Sequence, residues 1–151
     1  MATVSKDLPI GYEFPPVTRV MTLERMALYI DMETSATTGP HGTLRVAPKN
    51  IHNDVQYARS FGLANPIADG VISSAWVEGV LLDMFGTGYL KGGKVLTKFI
   101  KPIFADDVLT IKMTLKEKVP EGDATRFVLD ITLTNQKGDV VVAGSGGGLV
   151  A

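Results

Sequence analysis

Residues 65–86, NPIADGVISSAWVEGVLLDMFG, constrain the fold more than any other stretch of the chain. Asn65 and Pro66 punctuate the backbone, Asp69 is a good helix N-cap, and Gly70 at the first helical position leaves the leading N–H groups uncovered. From Val71 onward the segment is almost wholly apolar, and only Glu78 and Asp83 carry charge. A helix that is apolar nearly all round belongs inside something. It is too short to span a bilayer, and in a chain of 151 residues the natural wrapper is a curved antiparallel sheet. Its polar, glycine-marked N-terminus would open toward a groove, a place where a carbonyl oxygen or an anion can be held.

The rest of the composition narrows the class. The length suits one domain with one core. Fifteen basic and sixteen acidic side chains leave a formal charge of -1, which gives no reason to expect a nucleic acid or an anionic membrane as partner. There is no cysteine, so disulfide and thiolate chemistry are excluded, and two histidines are thin material for a metal site. No cofactor is implied. The opening residues MATVSKDLPIGYEF hold no apolar run able to act as a signal peptide, so a cytoplasmic address is expected.

Taken in order, residues 1–16 read as a loose arm and 17–151 as the single domain. A strand is expected at 17–21, and Thr22 caps a helix over 22–33 in which Leu23, Met26, Ala27 and Ile30 recur at helical spacing. Residues 35–42 read as a loop containing His41. Asn53 or Asp54 starts a short helix that ends at Gly62. After the central helix, Gly86, Gly88, Gly92 and Gly93 read as turns. Residues 94–100 begin a strand region that Pro102 breaks. Over 108–119, Leu109, Ile111, Met113 and Leu115 alternate with polar residues; 127–133 alternates again, and 140–150 is a glycine-rich last strand. PEGD at 120–123 and NQKG at 135–138 make the connections. The pattern asks for an α+β architecture: about five antiparallel strands around one long central helix.

Several ordered motifs carry a resemblance. His52-x-Asp54-x-x-x-Ala58, then PIADG, the apolar helix, FIKPIFADDVL and NQKGDVVVAG together resemble the MaoC-like hydratases and dehydratases of the hot-dog superfamily, from about residue 17 to the end. The resemblance implies a hot-dog fold, a homodimer or dimer of dimers through edge-strand pairing, and a site for an acyl thioester such as an enoyl-coenzyme A. The family's catalytic loop reads D-x-N-P-x-H. The matching stretch is APKNIH at 47–52: His52 is present, Ala47 stands in place of the aspartate, and Lys49 in place of the asparagine. The family's His-Gly at the helix start is Asp69-Gly70 here, and its Gly-Asp after KPxF-x is Asp106-Asp107.

The candidate catalytic residues are therefore His52, Asp69 and Gly70. Imidazole in water titrates near ~6.5, so His52 suits general acid–base work, or else anchors its loop. Asp69 either caps the helix or also replaces the acid absent at Ala47. On family grounds the Gly70 N–H would polarise the thioester carbonyl; a simple steric need for glycine is the alternative. Lys49, Asn50, Tyr57 and Val71 are the expected substrate contacts. The activity implied is that of a lyase adding or removing water at the β-carbon of the acyl group. Two alternatives stand beside it: a double-bond isomerase or unusual elimination enzyme, and a non-catalytic subunit of a heteromeric hydratase.

Overall fold

A computed structural model describes residues 4–35 and 48–151, the side chains of 34 and 35 excepted, so His41 and Ala47 lie outside the described residues. The elements in chain order are β1 (Val17–Met21), α1 (Leu23–Ser35), α2 (Val55–Ser60), α3 (Gly70–Phe85), α4 (Thr87–Gly92), β2 (Lys94–Phe99), β3 (Asp107–Glu121), β4 (Ala124–Thr134), β5 (Val140–Gly147) and β6 (Leu149–Val150).

The alternation read from the sequence becomes the floor of the core. Leu109, Ile111, Met113 and Leu115 of β3, with Phe127, Leu129, Ile131 and Leu133 of β4, are none of them more than 3% exposed. The antiparallel register sets Ile111 opposite Leu133, Met113 opposite Ile131 and Leu115 opposite Leu129, so both apolar sets share one face. The sheet runs β1-β3-β4-β5-β2, which leaves β1 and β2 as its edges. The expected last strand is divided into β5 and β6. Both lie on β4 in one continuing register, from Leu129 opposite Gly146 to Thr125 opposite Val150. This is the α+β hot-dog arrangement expected from the chain.

Helix α3 lies on that floor, with Ile72, Ser73, Val77, Val80, Leu81 and Phe85 buried. It approaches β5 and β6 closely. A Cβ added at Gly146 would stand 3.0 Å from a Leu81 methyl, and one at Gly148 would stand 2.7 Å from the Phe85 ring. The side chains of the helix thus fill space that strand side chains would otherwise take.

Three expectations are corrected. The central helix is not enclosed on all sides: Val71, Ala75, Glu78 and Leu82 are exposed, because one sheet covers one face of a helix. The glycines after it do not make successive turns; Thr87–Gly92 form α4, whose Gly88 sits where a side chain would collide with the Leu149 carbonyl. The N-terminal arm is docked rather than loose. Val4 is buried, Gly11 N–H donates to the Leu115 carbonyl at 2.7 Å, and Phe14 N–H donates to the Met113 carbonyl at 3.0 Å.

The stretch KPIFADD positions the start of α3. Ala68 N–H donates to the Ile103 carbonyl at 2.8 Å, and Ala105 N–H donates to the Pro66 carbonyl at 2.9 Å, so 66–68 and 103–105 run side by side. The chain then turns at Asp106, which has a φ of 70°, into the buried Asp107. The Asp107 carboxylate accepts hydrogen bonds from Phe104 N–H and the Gln136 amide, each at 2.8 Å. The left-handed corner is where the family pattern has glycine, and aspartate is among the few other residues that tolerate it. Among the described residues no helix is long and apolar enough to cross a membrane.

Candidate active site

The site is built at the head of α3. Asp69 is extended, with φ of -63° and ψ of 133°, and its Oδ1 accepts from Val71 N–H at 2.9 Å. This is the N-cap that the sequence leads one to expect. The Asp69 carbonyl accepts from Ile72 N–H at 3.2 Å. Gly70 N–H, between these two, has no acceptor among the described residues. Among the described residues it is an unpartnered donor at the positive end of a sixteen-residue helix.

That donor borders a cleft of about 390 Å³. One wall is the helix start, Asp69, Gly70 and Val71, continued by Ile67 and Ala68; the other is Phe99 to Ile103. Three of the expected site residues therefore come together. Phe99 was not among them, yet the room that a side chain on Gly70 would need is filled by the tip of its ring, with Cζ 2.6 Å from an added Cβ. Sequence reasoning had a signal here, since FIKPIFADD was part of the resemblance. What it lacked was the pairing of 103–105 with 66–68, which brings the two stretches together.

His52 stands in a turn before α2, outside the lining of the cleft but bound to its wall. Its N–H donates to Asn50 Oδ1 at 2.8 Å, and ring Nδ1 lies 2.7 Å from the Ile67 carbonyl oxygen. A carbonyl only accepts, so Nδ1 carries a hydrogen, and in the neutral ring the lone pair is on Nε2. Ile67 N–H in turn donates to the Ile51 carbonyl at 3.1 Å, which laces the histidine turn to the approach to α3. Asp69 and His52 share no hydrogen bond among the described residues, so the ring is oriented by Ile67.

The remaining expected contacts do not line the cleft. Asn50 shapes the histidine turn, with its N–H donating to Asn53 Oδ1 at 2.8 Å. Lys49 is paired with Asp54 at 3.0 Å. Asp54 caps α2 by accepting from Tyr57 N–H, and that bond, with Lys49 beside it, holds its carboxyl below the ordinary range. Tyr57 stacks at 5.1 Å against Phe61 and is 39% exposed. On the opposite wall, Lys101 is paired with Asp139 at 2.6 Å and lowers the pKa of that carboxyl. Among the described residues no group of three or more His, Asp or Glu side chains could hold a metal ion.

Comparisons with known proteins place this geometry in a family. The MaoC like domain model matches residues 40–136, more than half of the chain. No curated protein matches the sequence. Among solved structures the chain is similar to the R-hydratase PhaJ1 of Pseudomonas aeruginosa, at TM-score 0.69 and 22% identity over 93% of this chain and 80% of that one. It is similar also to the (R)-hydratase from A. caviae involved in PHA biosynthesis, at TM-score 0.67 and 18% identity over 94% and 96%. A third likeness is to the MaoC-like dehydratase from Rhodospirillum rubrum, at TM-score 0.71 and 17% identity over 96% and 94%. At these identities the structures speak for the fold, while the domain match speaks for descent: the chain belongs to the MaoC-like hydratase and dehydratase family of the hot-dog superfamily.

Proposed function

We propose that the protein is a lyase that adds water to, or removes it from, the β-carbon of an acyl thioester, with coenzyme A as the carrier. The observation that carries the reading is the Gly70 N–H, unpartnered among the described residues at the head of α3 and beside a cleft. A thioester carbonyl accepting from it would gain stabilisation as negative charge develops on its oxygen, an effect that removal of one such donor elsewhere values at ~3–4 kcal/mol.

In the hydration direction the oxygen of water bonds to the β-carbon, and the carbon–carbon π pair moves to the α-carbon and carbonyl. The resulting enolate is held at Gly70 until a proton reaches the α-carbon. His52 Nε2, which has no partner among the described residues, is the candidate base for taking the water proton and returning one. Asp69 uses Oδ1 for the cap. Its other carboxylate oxygen is the candidate for the acid–base work of the aspartate replaced at Ala47. The (R)-hydratases among the similar structures support this choice of substrate class.

A second reading rests on Ala47 itself. With one base and one carbonyl-holding donor, proton transfer alone moves a double bond without any water being added. Incubating the purified protein with crotonyl-coenzyme A in heavy-oxygen water tests both. Incorporation of the heavy oxygen into a 3-hydroxyacyl product is the expected result. With a 3-enoyl thioester, double-bond migration without incorporation would favour the isomerase. Inertness toward both substrates would favour the heteromeric, non-catalytic subunit.

A further inference from the structure

Phe99 closes β2, where it is paired with Val142 of β5. Strand alternation puts Thr97 and Phe99 on the side that meets α3. Thr97 Oγ1 lies 2.9 Å from Ser74 Oγ, and the Phe99 ring reaches the first residue of the helix. A Cβ added at Gly70 would stand 2.6, 2.7 and 2.9 Å from Cζ and the two ε carbons of that ring. The ring tip therefore occupies the space that any side chain at position 70 would need, and only a hydrogen fits there. On the reading that a thioester carbonyl accepts from Gly70 N–H, its α-carbon, two bonds from that oxygen, would stand near this ring. An unbranched chain can lie flat past the ring tip, whereas a substituent on the α-carbon is driven against it.

We propose that Phe99 is a specificity-determining residue that restricts the cleft to acyl groups unbranched at the α-carbon. The proposal rests on the reading that the thioester carbonyl docks at Gly70 N–H. Of the other apolar wall residues, Ile103 is buried and Ile67 is bridged to Phe104, whereas Val71 and Ile100 are exposed; the ring against Gly70 is that of Phe99. Phe99 is 55% exposed, so its ring can be shortened without emptying the core.

Binding is measured calorimetrically with butyryl-coenzyme A and 2-methylbutyryl-coenzyme A, for wild type, Phe99→Ala and Phe99→Leu, with thermal unfolding as the check on folding. Wild type is expected to favour the unbranched probe. Phe99→Ala should narrow that preference at least ~10-fold, the effect of about one methylene's worth of pocket space, and Phe99→Leu should fall between. If Phe99→Ala fails to fold, Phe99→Leu decides by the same ratio. An unchanged ratio in a folded variant, or equal binding of both probes by wild type, overturns the proposal. Turnover of crotonyl-coenzyme A alongside such a result would leave the carbonyl site standing, while failure of wild type to bind either probe would overturn both.

Discussion

Replacing Asp69 by asparagine separates the helix cap from the chemistry. The cap is a single hydrogen bond of 2.9 Å from Val71 N–H to Oδ1. Asparagine keeps an oxygen there and loses only the charge beside the helix dipole, a change of ~0.3–1 kcal/mol. Asp69→Ala removes the acceptor as well, and caps lost in this way cost ~0.5–2 kcal/mol. Val71 is 53% exposed, so water can reach the freed N–H and the cost should sit near the lower end. The stability ladder is therefore shallow, with asparagine under ~1 kcal/mol and alanine about 1 kcal/mol. The activity ladder should be steep. If the carboxylate moves a proton, kcat for Asp69→Asn falls at least ~100-fold. Urea unfolding paired with kcat across pH, for wild type, Asp69→Asn and Asp69→Ala, measures both ladders together. A folded asparagine variant with wild-type turnover would remove Asp69 from the mechanism and leave His52 with the Gly70 donor, which favours isomerisation. A loss well above ~2 kcal/mol in Asp69→Asn would refute the cap as its main structural role.

His52→Ala should lower kcat ~10²–10⁴-fold while costing about one hydrogen bond, ~0.5–1.5 kcal/mol; wild-type kcat/KM in the variant would exclude the histidine. The carboxyls of Asp54 and Asp139 are both held below their ordinary values, Asp54 first by Tyr57 N–H and then by Lys49, Asp139 by Lys101. Their stabilisation is fully present above the unfolded carboxylate pKa of ~4 and is lost as pH falls through the lowered folded values. The urea midpoint should therefore drop in acid, and a pH-independent midpoint through that range would refute the assignment. The β2 edge, with Leu96 63% exposed, and the uncovered Val71 and Leu82 on α3 should be covered by a second copy. Sedimentation at micromolar concentration should show a dimer or tetramer, and a sole species near 16.2 kDa would refute it.

What was legible in the sequence follows the range of the forces involved. Leu109 to Leu115 and Phe127 to Leu133 announce one sheet face because alternation is local, and Asp69 before a long apolar run announces a cap for the same reason. The covered side of α3 was not legible. Apolar residues run nearly all round it, so nothing local distinguishes Val77, which is buried, from Val71, which is exposed. Helix α4 was hidden by its glycines, which resemble breakers until the closeness of Leu149 accounts for Gly88. Along the cleft, Asp69, Gly70 and Val71 fall on one wall because they are consecutive at the start of α3. Phe99 was not legible, since it meets Gly70 only through the folding of residues 94–105 back against the helix start. Lys49 and Tyr57 lie close to His52 in sequence, but the start of α2 turns them to Asp54 and Phe61 instead.

The bare backbone at Gly146 and Gly148 under α3 sets how closely the helix can lie on the sheet. A Cβ at Gly146 would stand 3.0 Å from Leu81, Ile131 and the Lys94 carbonyl alike, and one at Gly148 would meet Phe85. An alanine at 146 would need Leu81, Ile131 and the backbone at Lys94 all to give, and one at 148 would meet the Phe85 Cβ itself at 2.9 Å, so a shorter side chain at 85 would not clear it. Either substitution would press on α3 through Leu81 or Phe85, and so on the Gly70 donor at its head. The glycines far from the cleft thus govern the height at which the helix presents its first N–H.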